Sequence, residues 1–334
     1  MRDIMSSAKI ALLLALTAAA SAWPPDFVRP PGSPHAVAET SLSSALDSID
    51  ANKIEADLTF FASDELKGRD TPSPELRVAA RFLRARLKRL GLKPAAGDSY
   101  FHEYQLSSVS RRRGGKSQED ATLENVCAIW PGSDLASEWI ILSAHYDHVG
   151  TRGEAIYNGA DDNGSGSMAL LAMAEALTQY GPMRRSVFFI WVSGEEKGLW
   201  GSAAWARDPM LPEGVRAVCN INLDMVGRNA PDSLLITPTR NHQAYNGLTR
   251  LAEKLGPFEG FLSLGSADAY WLRSDQVNFS RHLKIPVTFL FAGEHEDYHQ
   301  PGDTADKIDY DKVRRVSRLV VRMLHAMQQD ELDL

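Results

Sequence analysis

Histidines and carboxylates follow apolar runs at several places in the chain, in a pattern that predicts a site for divalent metal ions. A glycine-rich turn, residues 159–166, holds two adjacent acids, Asp161 and Asp162, just before an apolar helical pattern. Packing gives no reason to place two acids side by side there, whereas a divalent cation compensates for burying carboxylates. The other ligand-rich stretches are His145-Tyr146-Asp147, Gly194-Glu195-Glu196, Asn222-Leu223-Asp224-Met225 and Tyr298-His299.

The set of these stretches is informative, although each one alone is weak evidence. Two histidines and three carboxylates can hold two zinc ions that share a bridging carboxylate and keep open coordination for water. One ion would be held by His145 and Asp224, and the other by Glu196 and His299. One acid of the 161–162 pair would bridge them, and the spacing leaves both acids possible.

Three further residues lie beside these ligands and have roles in hydrolysis. Glu195 would be the general base, since an acid next to a ligand is held near the metal without occupying it. Asp147 would accept the other ring N–H of His145 and fix its tautomer. Tyr298 could donate its hydroxyl to a developing oxyanion. The pattern therefore predicts a hydrolase that activates water.

The segments that must position these residues alternate short apolar strands with helices. Strands are predicted at 126–130, 139–143, 187–192, 218–223 and 285–291, and helices at about 41–63, 74–90, 165–180 and 311–327. This alternation predicts an α/β fold with a mixed, largely parallel sheet covered by helices. Sites in such sheets form beyond the carboxyl ends of the strands, and His145, Glu196 and Asp224 each lie just past a predicted strand.

The motifs resemble those of the co-catalytic zinc aminopeptidase family, which also includes glutamate carboxypeptidase II, the glutaminyl cyclases and the transferrin receptor. They occur in the family's order, with no ligand position substituted, and the resemblance runs from about Leu58 to Met327. The matching motifs are His145-x-Asp147, residues 159–166 (Gly-Ala-Asp-Asp-Asn-Gly-Ser-Gly), Gly194-Glu195-Glu196, Asn222-Leu223-Asp224-Met225 and Tyr298-His299-Gln-Pro-Gly-Asp303-Thr304. The segment from Phe61 to Arg69 also resembles the amino-terminal part of the family.

The resemblance implies a mixed sheet of about eight strands between helices, two Zn²⁺ ions and peptide substrates. It assigns the bridging role to Asp162 and implies a cis peptide bond between Asp162 and Asn163. Removal of amino-terminal residues from peptides is the expected activity. Glutaminyl cyclase-like chemistry, carboxypeptidase or dipeptidase activity on the same fold, and a non-catalytic binding protein are the alternatives.

The ends of the chain predict an exported protein with one peptidase domain. Arg2 and Lys9 flank an apolar run that ends in Ala-Ser-Ala at 20–22, which is typical of a secretory signal peptide, although uncleaved anchoring is an alternative. Residues 23–334 would form a single zinc peptidase domain with a short leader at 23–40, without an inserted or appended domain. After cleavage we expect no stable membrane association and a periplasmic or secreted protein.

The remaining features add few functional expectations. A formal net charge of −7 argues against binding of nucleic acid or anionic lipid. The basic run 111–116 is expected to be an exposed loop, and the two cysteines, Cys127 and Cys219, to be buried thiols. Residues 228–284 would form either a wall of the substrate pocket or ordinary packing. No feature of the sequence indicates an oligomeric state.

Overall fold

The computed structural model describes residues 34–109 and 121–334. The predicted signal peptide at 1–22, the first part of the leader and the basic run 111–116 lie outside the described residues. Within the described part of the chain, no helix combines the length and the apolar character needed to cross a membrane.

The described strands form one mixed sheet and a separate hairpin of β5 and β6. They are β1 (Lys93–Pro94), β2 (Phe101–Gln105), β3 (Thr122–Trp130), β4 (Leu135–His145), β5 (Gly150–Arg152), β6 (Ala155–Tyr157), β7 (Arg185–Val192), β8 (Arg216–Leu223), β9 (Leu235–Thr237), β10 (Gly265–Ser266) and β11 (Val287–Phe291). The order in the sheet is β1-β3-β7-β4-β8-β11-β9-β10, and β2 pairs with β3. The central strands β7, β4, β8 and β11 run parallel, so their carboxyl ends meet at one edge.

Helices cover both faces of the sheet. They are α1 (Pro34–Ser48), α2 (Ala51–Phe61), α3 (Pro74–Leu90), α4 (Leu106–Val109), α5 (Gly166–Tyr180), α6 (Trp200–Arg207), α7 (Gly247–Leu255), α8 (Gln276–Asn278) and α9 (Tyr310–Ala326), with short 3₁₀ and π turns between some of them. The larger apolar core lies between one face of the sheet and α1, α2, α3, α5, α7 and α9. A smaller core, with Trp205 of α6 and Phe279, covers the other face.

The predicted fold class is confirmed, and the sheet has nine strands where about eight were expected. The five strands predicted from apolar runs correspond to β3, β4, β7, β8 and β11. One prediction was wrong, because the helix expected at 41–63 is two helices. Asp50 accepts a hydrogen bond from the Asn52 N–H at 2.9 Å and so caps the start of α2.

The leader expected at 23–40 was also wrong in its second half, since α1 begins at Pro34. Proline is well suited to the first turn of a helix, where its missing N–H has no partner in any case. The alanines and the glutamate that follow it favour helix.

The prediction for the cysteines is confirmed, because both are free and buried. Cys127 lies on β3 and Cys219 on β8, with β7 and β4 between them in the sheet. Burial raises the pKa of Cys219 to about 12, so this thiol is inert at neutral pH.

Candidate metal centre

The predicted site residues converge at the edge where the four central parallel strands end. His145 is the last residue of β4, Glu195 and Glu196 follow β7, and Asp224 follows β8. His299 lies in the loop after β11, and Asp162 lies in the turn before α5. The convergence follows from the parallel arrangement, which brings the loops after these strands together.

One group of possible ligands consists of His145, Asp162 and Asp224. The Nε2 atom of His145 lies 3.2 Å from Oδ1 of Asp162 and 3.2 Å from Oδ1 of Asp224. All three side chains are at least nine-tenths buried. Ser274 donates its hydroxyl to the other oxygen of Asp224 at 2.7 Å and so fixes that carboxylate.

A second group consists of His148, Asp162, Glu196 and His299. The Nε2 atom of His299 lies 3.0 Å from Oδ2 of Asp162 and 3.1 Å from Oε2 of Glu196. The two oxygens of Asp162 therefore face different groups, Oδ1 towards His145 and Oδ2 towards His299. Asp162 thus lies between the two groups, as a bridging ligand must.

The neighbouring acid, Asp161, points elsewhere. Its Oδ1 accepts a hydrogen bond from the Gly227 N–H at 2.7 Å, and its Oδ2 lies 3.3 Å from Nε2 of His295. The sequence left both acids possible as the bridge, and the structure brings only Asp162 into the two groups.

The electrostatics of the two groups fit a divalent cation. Burial alone would raise the pKa of Asp162, but hydrogen bonds from His145 and His299 hold it well below its ordinary range. Burial would lower the pKa of His299, but its bonds to Asp162 and Glu196 raise it to about 10. Both shifts show that the buried acids attract positive charge, which a bound metal ion supplies.

Buried polar atoms without hydrogen-bond partners in the second group also indicate a bound cation. Oε1 of Glu196 and both ring nitrogens of His148 are buried and lack a hydrogen-bond partner among the described residues. Buried polar groups are normally satisfied, and a cation ligated by oxygen and nitrogen would satisfy these atoms. The donor set of histidine nitrogen and carboxylate oxygen is one that zinc takes.

The turn that carries Asp162 is built by local contacts that require its residue types. Gly159 has φ +58°, and an added Cβ would lie 2.3 Å from the main-chain oxygen of Asp162 and 2.4 Å from Cγ of His148. The Asp303 carboxylate accepts hydrogen bonds from the N–H groups of Asp161 and Asp162, at 2.9 and 3.0 Å. The Asp162–Asn163 peptide bond is cis, as the family resemblance implied.

Arg69 stabilises the same turn through hydrogen bonds to main-chain oxygens. Its buried guanidinium donates to the main-chain oxygens of Phe61, Tyr146, Asn158 and Gly159 at 2.7–2.9 Å. These oxygens belong to α2, to the loop after β4 and to the start of the glycine-rich turn. One side chain therefore connects the elements that present His145 and Asp162.

Asp147 approaches the ring N–H of His145 with its main-chain oxygen at hydrogen-bond distance and with its carboxylate at ion-pair distance. Nδ1 of His145 lies 3.1 Å from the main-chain oxygen of Asp147 and 3.7 Å from its carboxylate, so the backbone orients the ring. The carboxylate instead accepts hydrogen bonds from the Thr71 hydroxyl at 2.9 Å and from the Glu195 N–H at 3.2 Å. Asp147 therefore also connects the loop after β4 to the loop after β7, which carries Glu195 and Glu196.

Glu195 and Tyr298 line a cleft that opens onto the first group. Asp162 and Asp224 also line the cleft, together with several apolar side chains and the ion pair of Arg273 and Glu294. Burial and the nearby carboxylates of Glu196 and Asp224 raise the pKa of Glu195 well above its ordinary value, although His145 opposes this. Arg273 donates to the Tyr298 hydroxyl at 3.3 Å.

The segment 228–284, for which two interpretations were open, contributes to the cleft through Tyr270 and Arg273. Met225, Phe289 and Phe291 complete its apolar side. Other parts of the segment pack in the core, such as Phe261. Both interpretations therefore hold for different residues.

Sequence reasoning missed three residues of the site, namely His148, Arg69 and Ser274. His148 follows the predicted His145-x-Asp147 by one residue, so a second histidine on a ligand-bearing loop was a usable signal. Arg69 lies in the Phe61–Arg69 stretch, whose likeness to the family gave no role for the arginine. Ser274 carries no signal, because its contact with Asp224 depends on the course of an irregular segment.

Comparison with known proteins places this geometry among zinc peptidases. The family model described as Peptidase family M28 matches residues 125–324. The chain is 28% identical over 232 residues to a probable leucine aminopeptidase of Arthroderma otae, covering 66% of this chain and 62% of that protein. The structure of BSAP, a zinc aminopeptidase from Bacillus subtilis, is 26% identical with a TM-score of 0.52 and covers 63% of this chain and 51% of its own.

A glutaminyl cyclase of Porphyromonas gingivalis has the same fold, with a TM-score of 0.67, 21% identity, and coverage of 84% of this chain and 99% of that one. At this identity the likeness shows the fold alone. The chain spans less than two thirds of the length of the two aminopeptidases it resembles.

The family match covers more than half of the chain, and it includes every residue of the two ligand groups. The order of the motifs, the mixed sheet and the acids at its carboxyl edge agree with it. The chain belongs to peptidase family M28.

Proposed function

We propose that this protein is an exported zinc-dependent aminopeptidase that removes amino-terminal residues from peptides, with two zinc ions and Glu195 as the general base. The observation that carries the proposal is the pair of ligand groups that share Asp162 beside the Glu195 carboxylate. The aminopeptidases among the relatives support the reaction, and the donor set supports zinc.

The residues of the cleft divide the work of hydrolysis among them. Zinc bound by the two groups would supply Lewis-acid chemistry that speeds hydrolysis near neutral pH. Glu195 accepts a proton from the attacking water and returns it to the leaving amine nitrogen. Its raised pKa brings it closer to the range in which a carboxylate both accepts and releases a proton.

Tyr298 is placed to donate a hydrogen bond to the substrate carbonyl oxygen as negative charge develops there. Burial raises the pKa of its phenol, so the hydroxyl keeps its proton at neutral pH. Arg273 lies against this hydroxyl and holds it at the mouth of the cleft. A donor fixed in this way stabilises the transition state more than the ground state.

The described residues that line the cleft offer no unpaired cation for the terminal carboxylate of a substrate. Four acids line it, namely Asp162, Glu195, Asp224 and Glu294, and its one lining cation is Arg273 among the described residues. Arg273 is already paired with Glu294 at 2.8 Å. With zinc bound, Asp162 and Asp224 would be its ligands, and Arg273 is not free to bind a terminal carboxylate, which supports aminopeptidase over carboxypeptidase activity.

The apolar side of the cleft sets the expected preference for the first residue of the substrate. Met225, Phe289, Phe291 and Tyr270 offer no charged partner for a side chain bound between them. We therefore expect leucine, methionine or phenylalanine to be preferred over aspartate or glutamate, whose charge would have no partner among these apolar side chains.

The test uses purified protein on unblocked peptides and their N-acetylated copies, with and without a chelator. We expect chelator-sensitive release of amino-terminal residues from the unblocked peptides only. Equal cleavage of blocked peptides would refute the aminopeptidase proposal, and so would release of ammonia from amino-terminal glutamine without cleavage, which indicates cyclisation. Amino-terminal sequencing of protein recovered outside the cytoplasm should begin after Ala22 if export follows the predicted signal.

A further inference from the structure

His148 belongs to the second ligand group, but it is not one of the five metal ligands predicted from the sequence. Its ring is fully buried, and Nδ1 lies 2.8 Å from Oε1 of Glu196 and 3.8 Å from Oδ2 of Asp162. The ring meets that of His299 edge to face, with centroids 5.5 Å apart. His148 therefore faces the same point in space as Asp162, Glu196 and His299.

A hydrogen bond does not account for this placement. Nδ1 of His148 and Oε1 of Glu196 are close, yet their contact lacks hydrogen-bond geometry, and both atoms are without another partner among the described residues. Leaving a buried carboxylate oxygen and a buried imidazole nitrogen unpaired costs on the order of 1–3 kcal/mol for each group. A cation held between them removes this cost for both atoms.

The spacing of the four side chains fits a tetrahedral ion. Zinc bonds to nitrogen and oxygen of roughly 2.0–2.1 Å put neighbouring tetrahedral ligand atoms about 3.3 Å apart. The histidine-to-carboxylate separations within this group are 3.0 and 3.8 Å to Oδ2 of Asp162, and 2.8 and 3.1 Å to the two oxygens of Glu196, so they scatter around that value. In the first group, the two separations from His145 are both 3.2 Å, but the group offers only three side chains.

The local sequence keeps the His148 ring in this position. The His148 N–H donates to the main-chain oxygen of Arg69 at 3.3 Å, and Gly159 lies close to the ring. A Cβ on residue 159 would come within 2.4 Å of Cγ of His148. Glycine at this position therefore lets the imidazole approach Asp162, so the two residues work together.

We propose that His148 is a fourth protein ligand at the ion position formed with Asp162, Glu196 and His299. The two ion positions are then unequal. The one with His148 has four protein ligands, as closed structural zinc sites do, and the one with His145 has three and keeps an open position, as catalytic zinc sites do. Asp224 of the three-ligand group lines the same cleft as Glu195, so substrate exchange would belong to the His145 side.

This inference rests on the proposed two-zinc function, and its test separates the two. The protein stripped of metal is titrated with Zn²⁺ against a competing chelator, and Co²⁺ is used in parallel because its visible absorption reports coordination. Wild-type protein that binds fewer than two ions would refute the two-zinc function itself. Binding of two ions with clearly different affinities is the expected wild-type result.

The decisive variant is His148→Gly, with His102→Asn as the matched control. His102 is also a buried histidine, but it lies on β2 next to Asn125, outside both groups. We expect His148→Gly to weaken the tighter ion by about 100-fold or more, above the 10–100-fold typical for residues that only support a ligand. Added imidazole should restore the Co²⁺ spectrum of this variant, and the control should bind as wild type does.

An unchanged affinity and Co²⁺ spectrum in a folded His148→Gly protein would overturn the proposal. A second measurement covers the case in which the variant does not fold. X-ray absorption on wild-type protein loaded with one equivalent of zinc counts the imidazole ligands. Two imidazoles, from His148 and His299, support the proposal, whereas one imidazole overturns it.

Discussion

Replacing Arg69 by methionine should destabilise the fold strongly, because this one side chain satisfies four buried main-chain oxygens. The guanidinium is fully buried and donates to Phe61, Tyr146, Asn158 and Gly159. Methionine has similar length and apolar character but no donor. The substitution therefore leaves four carbonyl groups without partners and adds no large cavity.

The size of the effect follows from two opposing quantities. Hydrogen bonds from a charged donor contribute about 1.5–3 kcal/mol each, so four of them amount to roughly 6–12 kcal/mol before relaxation. Burial lowers the pKa of Arg69 from 12.5 to about 10, despite the opposing charges of Asp147 and Asp303. At about 1.4 kcal/mol for each pH unit, keeping this charge buried costs roughly 3 kcal/mol, which the substitution returns.

We expect a loss of about 3–5 kcal/mol in the free energy of unfolding, which agrees with the cost of breaking other buried charge networks. Urea denaturation with linear extrapolation measures it. Arg69→Lys should lose part of this energy, because an ammonium has three donors and cannot reach four oxygens. Exposed Arg240→Met is the control, and we expect a change within about 0.5 kcal/mol.

The prediction also has a functional part, since Arg69 connects the loop after β4 to the glycine-rich turn. Loss of this connection should weaken zinc binding in protein that is still folded. An Arg69→Met variant that stays within about 1 kcal/mol of wild-type stability and keeps its zinc affinity would refute the argument that Arg69 organises the site.

Three further predictions follow from contacts at and near the site. Glu195→Gln should lower kcat by about 10²–10⁴-fold with unchanged zinc content, and activity retained in this variant would exclude Glu195 as the base. Ser274→Ala removes the 2.7 Å bond to Asp224 and should weaken one zinc by about 10–100-fold in chelator competition, whereas equal affinity would leave the serine without a role. Burial lowers the pKa of His102 from its ordinary 6.5 to about 4 in the folded protein. Between these two pH values the unfolded chain therefore binds more protons than the folded protein does. The free energy of unfolding should rise by about 3 kcal/mol as the pH increases from 4 to 6.5. Urea unfolding at several pH values should show this rise in wild type and lose it in His102→Asn; a rise that persists in the variant would assign it to other groups.

The parts of the fold that position the site could be predicted from the sequence because buried parallel strands are continuous apolar runs. The strands that end at His145 and before Glu195, Asp224 and His299 all have this character, and all four lie in the centre of the sheet. Ligand types at the end of each run then indicated a shared edge.

The edges of the sheet could not be predicted in the same way. β9 and β10 have three and two residues and pair across a long segment that includes α7. No periodicity exists in strands so short. The break between α1 and α2 is a similar case, because Asp50 can cap a helix or continue a loop, and its neighbours decide which.

Adjacent acids occur twice in the site, and in both pairs the backbone decides what each acid does. Asp161 accepts from the Gly227 N–H while Asp162 faces both histidine groups, although the two are chemically identical. Glu196 contacts His148 and His299, and these two imidazoles lower its pKa against the effect of burial. Glu195 lines the cleft, where burial raises its pKa.

The opposite shifts of Glu195 and Glu196 explain how one dipeptide serves two tasks. A ligand must stay ionised, and Glu196 is held in that form by two imidazoles. A base must accept a proton, and the pKa of Glu195 is raised by burial and by the negative charge of Glu196 and Asp224 around it. Each acid thus depends on the other, since the charge that Glu196 keeps is part of what makes Glu195 basic.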